Sequence, residues 1–276
     1  MPPKTLNLSD LKTILTAVVT VMEDFDDGDE EEEDSEPQGF VDLNEAGISF
    51  RSLCWKEGAE ASAAQHGLAE NNLMSTEHTK NMISFVLKHT EVGQRMVIDL
   101  IMLHLTSLES DETQAVTIVP EITPSKTEFD GECHGLNYLV AKYPKGHMDH
   151  MLWNPFGVLA NKDHRSNIFK TFRIFEAKCL AGMDELEYHT VKVVLAAAAL
   201  CDRDGLDCTR AALTDGKTWL FFTYRPVDSG GMYTHTPGIK LGENAKGLPL
   251  ILGLLRDWIN NAHTPESELK YFTVLD

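Results

Sequence analysis

A carboxylate and an ammonium group stand two residues apart at Glu176 and Lys178, at the end of a strand-like run. Successive side chains of a strand point to opposite faces, so residues 176 and 178 share one face. A carboxylate in this position can hold a divalent metal ion, and a lysine beside it can orient a water or stabilise charge that develops on a phosphate. An ExK triplet by itself is more often an exposed salt-bridge pair, so the prediction of a hydrolytic metal site depends on the surrounding elements.

A metal site of this kind needs a second carboxylate, because Mg²⁺ takes one or two carboxylates together with phosphate oxygens of a substrate. Asp149 is the best candidate, since it interrupts a largely apolar, strand-like run in which aspartate is disfavoured. If the two strands are neighbours, the carboxylates of Asp149 and Glu176 lie side by side and hold Mg²⁺ or Mn²⁺, with Lys178 completing the catalytic set. Asp130 and Asp163 are alternatives, but both stand in loop-like sequence.

Two histidines, His147 and His150, flank Asp149 in the sequence HMDH. On a strand, residue 147 shares a face with Asp149 and residue 150 points away, so the two imidazoles do not face one metal ion as a helical HExxH pair does. Two interpretations of His147 stay open: an accessory group that activates water, or a polar residue at the start of a strand. The sequence does not decide which face of its helix His189 occupies.

The apolar pattern around these residues predicts an α/β or α+β domain. Spacings of three and four favour helices within 75–108, with a break near Thr90, and the polar residues 110–114 lead into a short strand at 115–119. Three further segments have the composition of strands. They are residues 137–143, 147–153 and 168–178.

The second half of the chain carries the clearest local signal. Asp215-Gly216 lies between the strand-like runs CTRAAL and TWLFFTY and predicts a hairpin, because such a turn needs positive φ. Residues 183–200 and 248–262 are predicted to be helices, and residues 226–242, which are rich in Gly and Pro, are predicted to be a loop.

One short segment contains more than half of the net negative charge of the chain. Residues 23–36 contain eleven acidic and no basic side chains, which leaves eight of the chain's 19 net negative charges elsewhere. Such a run repels itself and is predicted to be a disordered linker or an interaction tail. The remainder is still not basic, which counts against a general nucleic-acid binder, because Lys and Arg supply most of the affinity for phosphates.

Composition also narrows the class of protein. Five widely spaced cysteines without a CxxC pair indicate reduced, mostly buried thiols and not a disulfide framework or a structural zinc site. No run of 18 apolar residues is present, and residues 1–10 lack the pattern of a secretory signal. We therefore expect an intracellular protein, nuclear or cytoplasmic, without a membrane span.

Residues 146–224 resemble the PD-(D/E)XK nuclease-like domains of fungal and oomycete Crinkler-type proteins. The matching sequences are GHMDHML, RIFEAK, HTVKVVLAAAAL and RAALTDGKTWLFF, and GLPLILGLLRDWI is similar to the helix that ends those domains. The resemblance implies a restriction-endonuclease-like central mixed sheet flanked by helices, a divalent metal ion, and DNA as the substrate class. The resemblance implies that Asp149, Glu176 and Lys178 correspond to the family's three active-site positions, and that Glu121 corresponds to an accessory acidic position.

One departure from that family bears on activity. The family often has Gln and then Glu on the helix after the ExK triplet, and Lys192 and Ala196 stand at those positions if the helices align. Lys192 can still reach a phosphate as a point charge, whereas Ala196 cannot replace an acid.

Together these patterns predict four segments: an N-terminal helix at 1–22, a disordered acidic linker at 23–39, a helical region at 40–110 that packs on the core, and a nuclease-like core at 111–276. Two functions from different classes follow. One is a metal-dependent endonuclease that cleaves DNA, in an effector or a mobile-element-related protein. The other is a catalytically inactive nuclease fold that binds a basic protein partner through its acidic segment.

Overall fold

The computed structural model describes residues 43, 47–68, 75–86, 90–119, 137–147, 170–176, 186–227 and 230–275. The described residues belong to one compact unit, Val41–Asp276. The predicted N-terminal helix at 1–22 and the acidic linker at 23–39 lie outside the described residues.

Strands and helices alternate irregularly along the described part of the chain. The strands are β1 Ile48–Trp55, β2 Gln114–Val119, β3 Asn137–Pro144, β4 Lys170–Glu176, β5 Thr209–Thr214, β6 Thr218–Val227, β7 Gly230–His235, β8 Ile239–Lys240 and β9 Phe272–Val274. The α-helices are α1 Ala59–Gly67, α2 Thr76–Ser84, α3 Glu91–Glu109, α4 Thr190–Asp204 and α5 Leu248–Asn260. Short 3₁₀ helices occupy Lys145–His147, Leu186–His189, Glu243–Ala245 and Glu266–Glu268. None of the described helices has the length and apolar character needed to cross a membrane.

The nine strands form one mixed sheet in the order β2-β3-β4-β5-β6-β7-β1-β9, and β8 pairs with the first residues of β6. β4 and β5 run parallel, as do β1 and β7, whereas the other pairs are antiparallel. A parallel pair needs a crossover connection, and α4 lies in the crossover from β4 to β5. The predicted α/β class, with a mixed sheet flanked by helices, is confirmed at this level.

Apolar cores cover both faces of the sheet. On one face α3 and α5 pack with α1 and α2, and the large side chains of Trp219, Phe221 and Trp258 are buried there. On the other face α4 covers β5 and β6 through residues such as Val194 and Leu220. Because β5 is covered on both faces, all six of its residues are buried, which explains why its sequence does not alternate.

Glycines allow α1 and α5 to pack with their backbones in contact. A Cβ on Gly253 would lie 1.8 Å from the carbonyl oxygen of Ala63, and one on Gly67 would lie 1.8 Å from that of Pro249. Any larger residue would force the two helices apart, so close approach requires glycine at both positions. This contact anchors α1, the helix that follows β1, on the last helix of the domain.

Local signals in the sequence located most of these elements. Ser75 caps α2 by accepting a hydrogen bond from the His78 N–H (3.1 Å), and Thr90 caps α3 by accepting one from the Gly93 N–H (3.0 Å). The two caps coincide with the predicted helix start and the predicted break. The predicted strands at 115–119 and 137–143, the hairpin around Asp215 and the final helix are also confirmed.

The prediction of a loop over residues 226–242 is wrong, because this segment contains the end of β6 and the strands β7 and β8. The sequence pattern did not predict these strands, because Gly230, Gly231 and Pro237 are typical of loops. The pairing is nonetheless well supported: the hydroxyls of Thr223 and Thr234 lie 2.7 Å apart across β6 and β7.

Two other predicted segments differ from the structure. The helical region predicted at 40–110 contains α1, α2 and α3, and it also contains β1, which was not predicted. β1 pairs in parallel with β7, so its pairing depends on residues about 180 positions away in the chain and has no local signal. His147 ends a 3₁₀ helix and does not start a strand, while residues 148–153 of that predicted strand lie outside the described residues.

Candidate functional site

The last residue of β4 is Glu176, the first member of the ExK triplet. The structure describes the backbone at Glu176 and at His147 and not their side chains. Six other candidate residues predicted from the sequence fall outside the described residues, whereas Lys192 and His189 are described. The six are Asp149, Lys178, Glu121, His150, Asp130 and Asp163.

We call the edge of the sheet at which β4 and β5 both end the carboxyl edge, defined by Glu176 and Thr214. These two residues are register partners in the parallel β4–β5 pair. On the other side of β4, the antiparallel strand β3 begins at this edge, since Asn137 pairs with Phe175. In open α/β sheets ligands bind outside the carboxyl ends of the strands, so the ExK triplet begins where a ligand site is expected.

The β5–β6 turn continues the carboxyl edge and is held by its own side chains. Oδ1 of Asp215 accepts hydrogen bonds from the N–H groups of Lys217 (2.9 Å) and Thr218 (2.7 Å). The Thr214 hydroxyl accepts one from the Gly216 N–H (2.9 Å) and donates one to the Thr218 carbonyl oxygen (2.8 Å). The LTDG sequence, which carries much of the family resemblance, therefore builds a rigid turn beside the end of β4.

The start of α3 lies against this turn. Gly216 has a φ of +79°, and a Cβ added to it would lie 2.8 Å from the carbonyl oxygen of Gln94 on α3. Both the backbone conformation and the lack of space require glycine here. The first turns of α3 thus belong to the carboxyl edge together with the ends of β4 and β5.

An acidic side chain on α3 near this edge was not predicted from the sequence. Asp99 accepts a hydrogen bond from the side chain of Tyr138, whose register partner Ile174 stands two residues before Glu176. Burial raises the pKa of Asp99, and the hydrogen bond from Tyr138 and the charge of Arg95 offset part of that rise. The sequence does carry a signal for Asp99, because it is the one acidic residue in the largely apolar run MVIDLIMLHL.

The direction of β3 bears on the predicted pairing of Asp149 with Glu176. β3 runs away from the carboxyl edge, and its residue Lys142 pairs with Lys170, six residues before Glu176. At ~3.3 Å per residue this is about 20 Å. We call this far end of β3 and β4, defined by Lys142 and Lys170, the opposite edge. His147 follows β3 there, and two further residues span at most about 7 Å. That span is shorter than the ~20 Å back to Glu176, so the pairing of Asp149 with Glu176 stays a prediction that the course of β3 does not support.

α4 carries Lys192 and Ala196, the residues that the resemblance places at the family's Gln and Glu positions if the helices align. Lys192 is exposed in the first turn of this helix, whereas Ala196 is 6% exposed and packs in the apolar core beneath it. His189 is half-buried in the 3₁₀ helix that precedes α4. Lys192 is therefore accessible to a ligand, and Ala196 serves packing.

Metal-ligating side chains do not cluster within the described part of the chain, where no group of three or more His, Cys, Asp or Glu residues could hold an ion. His104, for example, is buried with Nδ1 2.7 Å from the Thr79 hydroxyl, and burial lowers its pKa to about 4. A metal site at the carboxyl edge therefore needs carboxylates such as Asp149 or Glu121, from beyond the described residues, beside Glu176. Carboxylate oxygens suit hard cations such as Mg²⁺ and Mn²⁺.

Three cysteines are described, and none of these three is in a disulfide. Cys54 is exposed, whereas Cys201 and Cys208 are buried, as expected for thiols that act as small apolar side chains. Burial raises the pKa of the Cys208 thiol to about 11, which excludes it as a nucleophile at neutral pH. Cys133 and Cys179 lie outside the described residues.

The carboxyl edge thus brings together the backbone end of β4, the rigid β5–β6 turn and the first turns of α3. Two of the residues predicted to act there have a described backbone position. Glu176 lies at this edge, and Lys192 lies on α4, the helix that follows β4. No family model and no curated protein matches this chain.

Proposed function

We propose that this chain is a divalent-metal-dependent nuclease that cleaves DNA phosphodiester bonds at the carboxyl edge of its sheet. The observation that carries the proposal is the position of Glu176, the last residue of β4 and the register partner of Thr214 on the parallel strand β5. The ExK triplet begins at the end of two parallel strands, where ligands of α/β sheets bind. The order of β4, α4 and the β5–β6 hairpin, which is the order of the motifs RIFEAK, HTVKVVLAAAAL and RAALTDGKTWLFF, supports the same function.

In this proposal, the carboxylates of Asp149 and Glu176 hold Mg²⁺ or Mn²⁺. When bound, the ion polarises the phosphate and lowers the pKa of the attacking water. Lys178 orients that water and stabilises the negative charge that develops on the phosphate oxygens. Accessory roles fall to Glu121, His147 and Lys192.

Cleavage of plasmid DNA in Mg²⁺, in Mn²⁺ and in EDTA tests the proposal. We expect Glu176→Gln and Lys178→Met to lose at least ~100-fold in rate, since each removes a group that acts on the developing charge. Glu112→Gln is the matched control, because Glu112 is an exposed glutamate in the turn between α3 and β2. Cleavage by Glu176→Gln at the wild-type rate would sink the assignment.

A second function, a catalytically inactive nuclease fold that binds a basic protein, is favoured by one observation on α4. Ala196 is buried in an apolar cluster, and if the helices align it stands where the family often has an acid, so that position offers no carboxylate. The eleven acidic residues in 23–36 would supply the attraction for the basic partner. Calorimetry separates the two functions: Mg²⁺ binding that is lost in Asp149→Asn supports the nuclease, and the absence of any Mg²⁺ binding supports the interaction module.

A further inference from the structure

The described lysines divide into paired and unpaired groups. Five of them bond to a carboxylate, a carbonyl oxygen or an aromatic ring; they are Lys56, Lys80, Lys142, Lys170 and Lys270. The other five form no side-chain hydrogen bond or ion pair with a described residue; they are Lys145, Lys192, Lys217, Lys240 and Lys246. Lys145 lies beside the opposite edge, and the other four lie on the elements that border the carboxyl edge.

Main-chain hydrogen bonds bring three of these unpaired lysines together. The Leu241 N–H donates to the Lys217 carbonyl oxygen (2.7 Å), and the Gly247 N–H donates to the Leu241 carbonyl oxygen (2.8 Å). A Cβ on Gly247 would lie 2.0 Å from the Lys240 carbonyl oxygen, so these segments are in direct contact. We refer to Lys217, Lys240 and Lys246 as the lysine cluster; Lys240 and Lys246 are exposed, and Lys217 is half-buried.

The sheet register gives the distance from this cluster to the ExK triplet. At the carboxyl edge Glu176 pairs with Thr214, Thr214 with Trp219, and Trp219 with Ile239, the neighbour of Lys240. Three strand spacings of ~4.8 Å amount to about 14 Å. Along the helix axis, one strand of B-DNA has a phosphate every ~3.4 Å, so this distance corresponds to about four phosphates.

The charge of the cluster is opposite to that of the chain as a whole, which is −19. One acidic residue, Glu243, occurs among residues 239–247, and the nearby Asp215 directs Oδ1 to the turn amides. A local positive patch on an acidic protein attracts a polyanion to that point of the surface and away from the rest.

We infer that the lysine cluster, together with Lys192, binds the phosphate backbone of the nucleic acid on which the proposed nuclease acts, about four nucleotides from the ExK triplet. This inference rests on the proposed function for the identity of the polyanion. Lysine contacts a phosphate as a point charge and reads no bases, so the cluster supplies affinity and position and no sequence preference.

Binding of a fluorescently labelled 20-base-pair duplex, followed by anisotropy in EDTA over a range of NaCl concentrations, tests the inference. The double variant Lys240→Gln/Lys246→Gln is compared with Lys145→Gln/Lys170→Gln, which removes the same charge near the opposite edge. Each phosphate contact contributes ~0.9 to the slope of log K against log salt, so we expect the cluster variant to lose about 2 in slope and at least ~10-fold in affinity at ~0.1 M salt. The control variant should bind like the wild type.

Equal binding by the two double variants would overturn the inference. Displacement of the duplex by poly-glutamate as effectively as by an unlabelled oligonucleotide of equal charge would also overturn it, in favour of an acidic protein partner. Because the assay contains no divalent metal, it is independent of cleavage. Binding that depends on these lysines, without any cleavage in Mg²⁺ or Mn²⁺, would contradict the proposed nuclease function and support the phosphate-binding surface. Cleavage at the same rate by both double variants would support the nuclease function and contradict the phosphate-binding surface.

Discussion

The two edges of the sheet use positive charge in opposite ways. At the opposite edge Glu109, with a side chain 3% exposed, accepts hydrogen bonds from Lys142 (2.6 Å), Arg256 (2.6 Å) and Asn260 (2.7 Å). At the carboxyl edge the lysine cluster has no carboxylate partner among the described residues. The first set of cations is neutralised by the protein and stabilises its fold, whereas the second is available to an external anion. The pairing of the cations therefore separates the two edges, which the net charge of the chain does not.

The largest effect in this comparison is expected from Glu109→Gln. The substitution leaves Lys142 and Arg256 half-buried without their carboxylate, and breaking such a buried pair costs about 3–5 kcal/mol. Urea unfolding at pH 7 measures the loss of free energy of unfolding. Glu112→Gln, on an exposed glutamate three residues later, should change it by less than ~0.5 kcal/mol. A loss below ~1 kcal/mol in Glu109→Gln would mean that the buried cluster does not stabilise the fold.

The same cluster predicts an acid-dependent contribution to stability. Burial alone would raise the pKa of Glu109, but the hydrogen bonds from Lys142 and Arg256 hold it below its ordinary value of 4.5. Because the pKa is lower in the folded state, this stabilisation is present above pH 4.5 and is lost as the pH falls below it. The difference in unfolding free energy between wild type and Glu109→Gln should therefore shrink below pH 4.5, and a constant difference down to pH 3 would contradict this account.

At the carboxyl edge, Gly216→Ala should be the most damaging small substitution. Alanine at a left-handed position costs about 1–2 kcal/mol, and the approach of its Cβ to within 2.8 Å of the Gln94 carbonyl oxygen adds about 1–3 kcal/mol of overpacking. Gly205→Ala is the matched control, because Gly205 has a φ of +63° with nothing within 4 Å of the added Cβ. Thermal unfolding should show the smaller loss for Gly205→Ala. Equal losses of stability in the two variants would show that α3 moves away from the added Cβ without a measurable loss of unfolding free energy.

His104, buried on α3 between the two edges, predicts a different pH window. Burial lowers its pKa from 6.5 to about 4, so the unfolded chain takes up a proton at a higher pH than the folded chain. The free energy of unfolding should then fall as the pH is lowered from 6.5 to about 4, and level off below. In His104→Leu this part of the pH profile should be flatter, as measured by urea unfolding at several pH values. Parallel profiles for the two proteins would disprove the assignment.

The smallest effect on stability is expected from Lys240→Gln/Lys246→Gln, because neither side chain has a partner to lose. The free energy of unfolding should change by less than ~0.5 kcal/mol, while DNA binding falls as described above. Urea unfolding of this variant beside Lys142→Gln, which removes one partner of Glu109, measures the contrast between the two edges directly. A loss above ~1 kcal/mol in the cluster variant would show that these lysines serve the fold.

Sequence patterns located elements whose signals are local. Ser75 and Thr90 cap helices through hydrogen bonds three residues away, and Asp215-Gly216 forms its turn through bonds within four residues. β1 was missed because its partners β7 and β9 lie far away in the chain, whereas β7 pairs with β6, the strand just before it. Gly230 and Gly231 also masked the alternation that would have shown β7.

For the candidate site, the sequence by itself determined that a strand ends within the ExK triplet, that a helix and a hairpin follow, and that the net charge is concentrated in residues 23–36. The tertiary structure decided which strand lies beside Glu176, that β3 leads away from it, and that Asp99 on α3 meets Tyr138 on β3 near it. It also decided which lysines are paired. Register and ion pairing depend on contacts between segments far apart in the chain, and such contacts leave no periodic trace in the sequence.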